Sequence, residues 1–179
     1  MVKIFMFLSA FLIFVSVLAL SCDAKQINKN FVKNVRIYPS LALTDTLPSG
    51  EVMEIVKAVV YSTNTFNIES VANLYTPNAV ISDDEPPFSW NGPTAGVQWV
   101  NAVQHVCKVN RLTKLKGTIE PITIYQHDTD NVYIVVPVSY TANLPEGRFD
   151  AKGAFSFVLR LINGKWMIKS QAWLPQKGI

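Results

Sequence analysis

Residues 153–173, GAFSFVLRLINGKWMIKSQAW, decide the fold of this 179-residue chain. Every second residue from Phe155 to Leu161 is large and apolar, which is the period-two pattern of a half-buried β-strand. Asn163-Gly164 comes next, and both central residues of a type I′ turn need positive φ, so this pair predicts a tight hairpin. The returning strand is predicted over residues 165–173.

Two more strand candidates precede this hairpin. Residues 132–141 and residues 119–125 show the same alternation of apolar and polar side chains. The connections at residues 128–131 and residues 144–147 carry the Asp, Asn, Pro and Gly that favour turns. Four such strands joined by short turns predict an antiparallel sheet.

The sequence before these strands has helical periodicity. A helix is predicted from Gly50, with its buried face formed by Val52, Ile55, Val56, Val59 and Val60. A short helix should follow Asn67 and end at Pro77, and a short strand should cover residues 79–83. A third helix is predicted over residues 94–110. Helices first and strands last indicate an α+β fold, with helices packed on one face of the sheet.

The N-terminus has the order of a secretory signal. Lys3 precedes an uncharged apolar run, and small residues follow it. This order predicts a signal peptide over residues 1–24, a basic leader over residues 25–47 and a single domain over residues 48–175. Cleavage after Ser21 and cleavage after Ala24 both fit the pattern.

Secretion or a periplasmic location is therefore expected, and two alternatives stay open. Cys22 follows a serine in a sequence partly like a lipobox, so lipidation would make the chain a lipoprotein. An uncleaved signal would act as a membrane anchor instead. Cleavage before Lys25 would leave Cys107 as the one cysteine, so no internal disulfide is expected.

Charge and motif content exclude several classes of function. The formal net charge is +3, with no clustered basic face of the kind that nucleic acid needs, so no nucleic-acid partner is expected. His105 and His127 lack Cys or acidic neighbours at ligand spacing, so no metal site is predicted. No glycine motif for phosphate is present, and we expect no cofactor.

Three segments, in this order, resemble the nuclear transport factor 2-like superfamily, which includes SnoaL-like and ketosteroid-isomerase-like proteins. The first is NIESVANLY at residues 67–75, followed by AVISD at residues 79–83. The second is PFSWNGP at residues 87–93, before the next helix. The third is the closing hairpin, with one Trp after its turn and Trp173 near its end.

This resemblance implies a cone-shaped domain in which a curved antiparallel sheet wraps around the N-terminal helices. It also implies an open apolar cavity and frequent dimerisation through the sheet. In ketosteroid-isomerase-like enzymes the general base follows the first strand, where this chain has Asp83. The tyrosine of those enzymes would fall near Val59, and their second aspartate has no counterpart in residues 155–160. Steroid isomerisation by that mechanism is therefore not expected.

The candidate site residues each have a structural and a functional interpretation. Asp83 is either a catalytic carboxylate or part of a solvated acidic loop with Asp84 and Glu85. The aromatic side chains near it either line a ligand cavity or fill it as core; they are Phe88, Trp90 and Trp99. A catalytic Asp83 would also need a hydrogen-bond donor, for which the candidates are Tyr61, Tyr140 and Ser139.

The sequence thus predicts a domain that binds a small apolar molecule in a cavity and dimerises through its sheet. If it is an enzyme, the chemistry is proton transfer without a cofactor, as in isomerases, dehydratases and cyclases. The alternative is a module that binds a ligand or a partner and has no catalytic activity.

Overall fold

The computed structural model describes residues 48–176, and these fold into two α-helices, one short 3-10 helix and a seven-stranded sheet. In chain order the elements are α1 (Gly50–Thr65), the 3-10 helix (Ile68–Ser70), β1 (Tyr75–Ser82), β2 (Ser89–Asn91), α2 (Ala95–Val109), β3 (Thr113–Ile119), β4 (Ile124–His127), β5 (Asn131–Leu144), β6 (Gly147–Ile162) and β7 (Lys165–Pro175).

The sheet has the strand order β2-β1-β7-β6-β5-β3, and β4 pairs with β5 beyond the end of β3. Every pairing is antiparallel except that of β1 with β7. The first strand therefore lies parallel to the last one, a pairing that local sequence patterns do not reveal. The α+β class and the curved, largely antiparallel sheet were predicted correctly.

The core lies between the helices and the inner face of the sheet. Val52, Val56, Val59 and Val60 of α1 are fully buried, as the helical spacing predicted. They pack in one cluster with inner-face residues of the sheet such as Phe157. Burying each such side chain contributes about 1.5–3 kcal/mol, so this cluster supplies much of the stability.

The β6–β7 hairpin has the predicted turn geometry. Asn163 has φ of 51° and Gly164 has φ of 75°, so both central residues take the left-handed conformation of a type I′ turn. The turn sets the register of the adjoining residues, and a register shift between Val158 and Leu159 then places Phe155 opposite Trp173. Both side chains consequently belong to one face of the sheet.

The chain around Asn67 differs from the prediction. The helical spacing there produces only the 3-10 turn at Ile68–Ser70, which Asn67 caps by accepting a bond from the Glu69 amide at 3.1 Å. The chain then enters β1 at Tyr75, and Pro77 lies within the strand instead of ending a helix. Its missing N–H is tolerated because the β1–β7 register shifts between Tyr75 and Val80.

The strand predicted over residues 119–125 is also different in the structure. The chain is not strand at residues 120–123, which include Pro121, and separate strands β3 and β4 lie on either side. Most of β3 was missed because its lysines obscure an alternation in which Gly117 is buried and Leu115 is half-buried. The short β2, within the predicted loop over residues 83–93, was missed as well.

The predicted signal peptide and basic leader, including Cys22, lie outside the described residues. Within residues 48–176, neither helix has the length and apolar character needed to cross a membrane.

Candidate active-site cavity

A cavity of about 680 Å³ opens between α2 and the inner face of the sheet. One wall comes from α2, the other from β5, β6 and β7, and the segment after β1 closes the side. Most of the lining side chains are apolar. The lining includes Thr63, Asp83, Asp84, Glu85, Trp90, Trp99, Ala102, Cys107, Tyr140, Phe149, Phe155 and Trp173. The volume is in the range typical of small-molecule pockets.

Asp83 reaches this cavity because of the alternation in β1. Ala79 and Ile81 are fully buried, and Asp83 has the same parity just beyond the end of the strand. The indole N–H of Trp99 donates to Asp83 Oδ2 at 2.7 Å, and the amide of Glu85 donates to Oδ1 at 3.3 Å. The carboxylate is therefore held in place at both oxygens.

Burial raises the pKa of Asp83 above its ordinary value of 3.8. The hydrogen bonds from Trp99 and from the Glu85 amide act in the opposite direction, and the neighbouring Asp84 adds a further rise. Desolvation is the largest of these effects, so the carboxylate is a stronger base than one in water. A raised pKa together with a cavity position is typical of catalytic carboxylates.

Tyr140 presents a hydroxyl to the same cavity. Its oxygen lies 3.4 Å from Thr63 Oγ1, and Thr63 already donates its single hydrogen to the Val60 carbonyl at 2.8 Å. Thr63 Oγ1 is therefore the acceptor for the Tyr140 hydroxyl at this long distance, and the hydroxyl can rotate to donate to a ligand in the cavity instead. Burial raises the pKa of Tyr140 strongly and Asp83 raises it further, so the hydroxyl stays protonated at neutral pH.

The remaining wall is aromatic. Trp99 meets Phe155 edge-on with ring centroids 5.6 Å apart, and Phe155 lies 4.8 Å from Trp173. Trp173 in turn contacts Tyr140 at 5.6 Å. These contacts hold the rings in fixed positions around the cavity, with Trp90 nearly buried beside them. Aromatic walls with a few polar groups suit an apolar ligand.

The structure brings Asp83, Trp90, Trp99 and Tyr140 together at the cavity, and it places Tyr61 and Phe88 elsewhere. Tyr61 is 45% exposed, on the outer side of α1, and Phe88 is 57% exposed, in the loop before β2. Helical geometry separates Tyr61 from the buried face of α1. Phe88 is turned outwards by a loop in which the Asp83 amide donates to the Phe88 carbonyl at 3.1 Å.

Ser139, the third candidate donor, has opposite parity to Tyr140 on β5. Its hydroxyl donates to Glu120 at 3.0 Å on the exposed side. This arrangement leaves Tyr140 as the one sequence-predicted donor that lines the cavity.

Sequence reasoning missed Thr63, Cys107 and the pair Phe155 and Trp173 as lining residues. Thr63 lies one helical turn after Val59, where the resemblance expects a tyrosine. Alternation across the predicted turn would have paired Phe155 with Ala172, because the register shift between Val158 and Leu159 that brings Trp173 to Phe155 has no local sequence signal. Cys107 is buried, which raises the pKa of its thiol, and it also belongs to the cavity wall.

Metal-binding groups do not come together in the part of the chain that the structure describes. Residues 48–176 contain no cluster of three or more His, Cys, Asp or Glu side chains. The two ion pairs within those residues, Lys57–Glu54 and Arg148–Asp150, involve exposed side chains.

The fold matches a group of small α+β proteins of known structure. A hexachlorocyclohexane dehydrochlorinase of LinA type 3 from Novosphingobium barchaimii superposes with a TM-score of 0.58 at 15% identity, over 72% of this chain and 90% of that one. A scytalone dehydratase-like protein from Novosphingobium aromaticivorans superposes with a TM-score of 0.55 at 14% identity, over 71% of this chain and 83% of that one. A protein of unknown function with a cystatin-like fold from Nostoc punctiforme superposes with a TM-score of 0.57 at 13% identity, over 72% of this chain and 91% of that one.

These likenesses show that the chain has a cystatin-like fold, which is the fold that the resemblance implied. At these identities they establish the fold alone. No protein-family model matches the chain, and a search of curated proteins by sequence gives no match either.

Proposed function

We propose that the domain binds a small, mainly apolar molecule in this cavity and transfers a proton on it without a cofactor. The observation that carries the proposal is that Asp83 and Tyr140 line one aromatic-walled cavity. One is a carboxylate with a raised pKa, and the other is a buried hydroxyl whose contact with Thr63 is long, at 3.4 Å. Together they provide a base and a hydrogen-bond donor.

The reaction that suits this pair is proton abstraction next to an oxygen-bearing carbon. Ionised Asp83 accepts a proton from the ligand's C–H bond, and Tyr140 donates a hydrogen bond to the oxygen on which negative charge develops. Protonated Asp83 then returns the proton to another carbon, or to a leaving group. Isomerisation, dehydration and cyclisation all follow this scheme. Proteins of similar fold include a dehydrochlorinase and a dehydratase-like protein, and this supports a catalytic role.

Proton exchange tests the chemistry directly. The ligand is identified by native mass spectrometry of protein purified from its own host, and loss of its C–H signal in D₂O is followed by NMR. Asp83→Asn should slow the exchange by about 10²–10⁴-fold, because a positioned base contributes this much. Glu54→Gln, which removes an exposed carboxylate of α1 outside the cavity lining, is the control and should have little effect. Full exchange by Asp83→Asn would contradict the catalytic proposal.

Binding without catalysis is the second candidate function, and the apolar character of most of the lining favours it. Ala102 lies on the cavity side of α2, half-buried, so Ala102→Phe should fill the space and abolish ligand binding. Asn101→Phe introduces the same ring at an exposed position of α2 and should leave binding intact. If Ala102→Phe blocks binding and Asp83→Asn alters nothing, the domain is a binding module.

We also propose that the domain forms a homodimer through the outer face of its sheet. A row in register across five strands carries no charge there; it consists of Ser82, Ala172, Ser156, Val135 and Ile124. Leu174, Val80 and Tyr133 on the same face are 37–52% exposed. A second copy would cover these apolar groups.

Sedimentation at micromolar concentration tests this assembly. We expect a dimer mass for the wild type and a monomer for Ser156→Arg, which places a charge at the centre of the row. A wild-type monomer would contradict the proposal.

Export is the remaining proposal, and the basic, apolar and small-residue order of residues 1–24 supports it. Intact-mass analysis of the exported protein should give a start at Cys22 or Lys25. A diacylglycerol mass on Cys22 would indicate the lipoprotein route. A mature chain that begins at Met1 would contradict cleavage.

A further inference from the structure

The cavity has an uneven distribution of charge. Asp83, Asp84 and Glu85 all belong to its lining and stand together on one side. The lining also includes Asp150 and Lys152, which are two residues apart on β6. These five residues are the charged members of the cavity lining.

The two charged residues of β6 add little positive charge to the interior. Lys152 and Asp150 have opposite parity to Phe155, and both are exposed. Asp150 is paired with Arg148, whose Nη2 lies 2.9 Å from Asp150 Oδ1. Asp84 and Glu85 are exposed as well, so the half-buried Asp83 is the charged group that a bound ligand meets most directly, with Asp84 and Glu85 adding negative charge beside it.

The aromatic rings of the lining also favour a positively charged ligand. The face of an aromatic ring carries partial negative charge, so Trp, Tyr and Phe attract a cation placed over them. Trp90, Trp99, Phe155, Trp173 and Tyr140 all contribute to the wall. A cavity that joins such rings to carboxylates favours a positively charged group and repels an anion.

Asp83 itself lacks a cationic partner among the described residues. Its hydrogen-bond donors there are neutral: the indole of Trp99 and the backbone amide of Glu85. A half-buried carboxylate is stabilised by an opposite charge more than an exposed one is, because the surrounding dielectric is lower. A cationic ligand would supply that charge.

We propose that the ligand is a lipophilic ammonium compound, with an apolar body against the aromatic wall and a substituted nitrogen cation facing the carboxylates. This inference rests on the proposed function, since it assumes that the cavity binds a ligand. The inference specifies that the ligand is positively charged, which the apolar character of the cavity does not determine.

Three probes of nearly equal shape test the charge. They are (2-naphthylmethyl)trimethylammonium, its neutral carbon isostere 2-neopentylnaphthalene, and the anionic 2-naphthylmethanesulfonate. Binding is measured by quenching of tryptophan fluorescence, since Trp90, Trp99 and Trp173 line the cavity. The cation should bind about tenfold or more tightly than the neutral isostere, as cation–aromatic and carboxylate contacts predict. The anion should bind most weakly.

Variants identify the source of this preference. Asp83→Asn should remove most of the preference for the cation over the neutral probe. The double variant Asp84→Asn/Glu85→Gln should make this preference less dependent on salt concentration. Glu54→Gln, an exposed acid on α1, is the control and should retain the full preference.

The outcomes separate the two proposals. If the cation and the neutral isostere bind equally, the cavity binds ligands and the charge proposal is wrong. An undiminished preference in both Asp83→Asn and the double variant would also contradict it. If none of the three probes binds, the proposed ligand cavity itself is wrong.

Discussion

A polar side-chain contact lies at each end of β1. At the first, which we call the packed end, the Tyr75 hydroxyl donates to Gln171 Oε1 at 2.6 Å. At the second, the cavity end, the Trp99 indole donates to Asp83 at 2.7 Å. Tyr75 and Gln171 are each 2% exposed and do not line the cavity, whereas Asp83 and Trp99 do.

Burial raises the pKa of a tyrosine at both ends, Tyr75 at the packed end and Tyr140 at the cavity end. A raised pKa alone therefore does not mark a functional residue in this protein. Tyr140 differs in that its hydroxyl lines the cavity and makes only a 3.4 Å contact with Thr63, whereas the Tyr75 hydroxyl makes a 2.6 Å bond to Gln171 outside the cavity. The comparison predicts that the same substitution has different consequences at the two ends.

Tyr140→Phe gives the largest expected effect, on activity. Removing a donor that stabilises developing negative charge costs about 10²–10³-fold in rate. Stability should change little, because the ring and its contact with Trp173 are kept. Proton exchange measured by NMR, together with thermal unfolding, checks both expectations. Unchanged exchange would mean that the cavity end is as inert as the packed end.

Gly96→Ala is expected to have the largest effect on stability. A Cβ at Gly96 would lie 2.0 Å from the Tyr75 ring, and that ring is buried and has no room to move. Such overpacking costs about 3 kcal/mol. Gly50→Ala is the control, since nothing lies within 4 Å of its added Cβ. Urea unfolding measures the difference; equal stabilities would show that the packed end tolerates rearrangement.

Tyr75→Phe should cost less, about 1–3 kcal/mol, because it leaves a buried acceptor unpaired. Gln171 Nε2 already has no hydrogen-bond partner among the described residues, so the variant would leave the whole amide unsatisfied. Adding Gln171→Met should restore much of the lost stability, since both polar partners are then gone. A double-mutant cycle measures the coupling. Additive effects would contradict a structural role for this hydrogen bond.

The sequence predicted the elements whose residues determine local structure. Asn163-Gly164 specifies a type I′ turn, and the valines of α1 form a helical stripe, so both were correct without tertiary information. The short helix after Asn67 was wrong because pairing of β1 with β7 takes over at Tyr75. That pairing joins segments about 90 residues apart, and no local pattern encodes it.

The residues of the candidate site were likewise predicted correctly only where local sequence determines their position. The alternation of β1 places Asp83 at the cavity, and this much was readable from the sequence. The bond from Trp99 to Asp83 was not, because it depends on how α2 lies across the end of β1. Thr63 was missed for a similar reason, since its role depends on the position of Tyr140 on a distant strand.

The smallest expected effect is a gain in stability from Asp83→Asn. Because the pKa of Asp83 is raised on folding, the folded state binds more protons than the unfolded state as soon as the pH exceeds about 3.8. Stability from this group therefore falls as pH rises through the window between 3.8 and the folded pKa. An asparagine does not ionise, and its amide oxygen still accepts from Trp99.

The melting temperature of Asp83→Asn should accordingly exceed that of the wild type at pH 7, and the difference should shrink as pH falls below the folded pKa. The groups that face Asp83 are Asp84 and Glu85 beside it, Trp99 on α2 and Tyr140 on β5. Glu146→Gln removes one negative charge at an exposed position outside the cavity lining and controls for net charge. If Asp83→Asn melts lower than wild type at pH 7, the ionised carboxylate stabilises the fold, and the cavity end resembles the packed end after all.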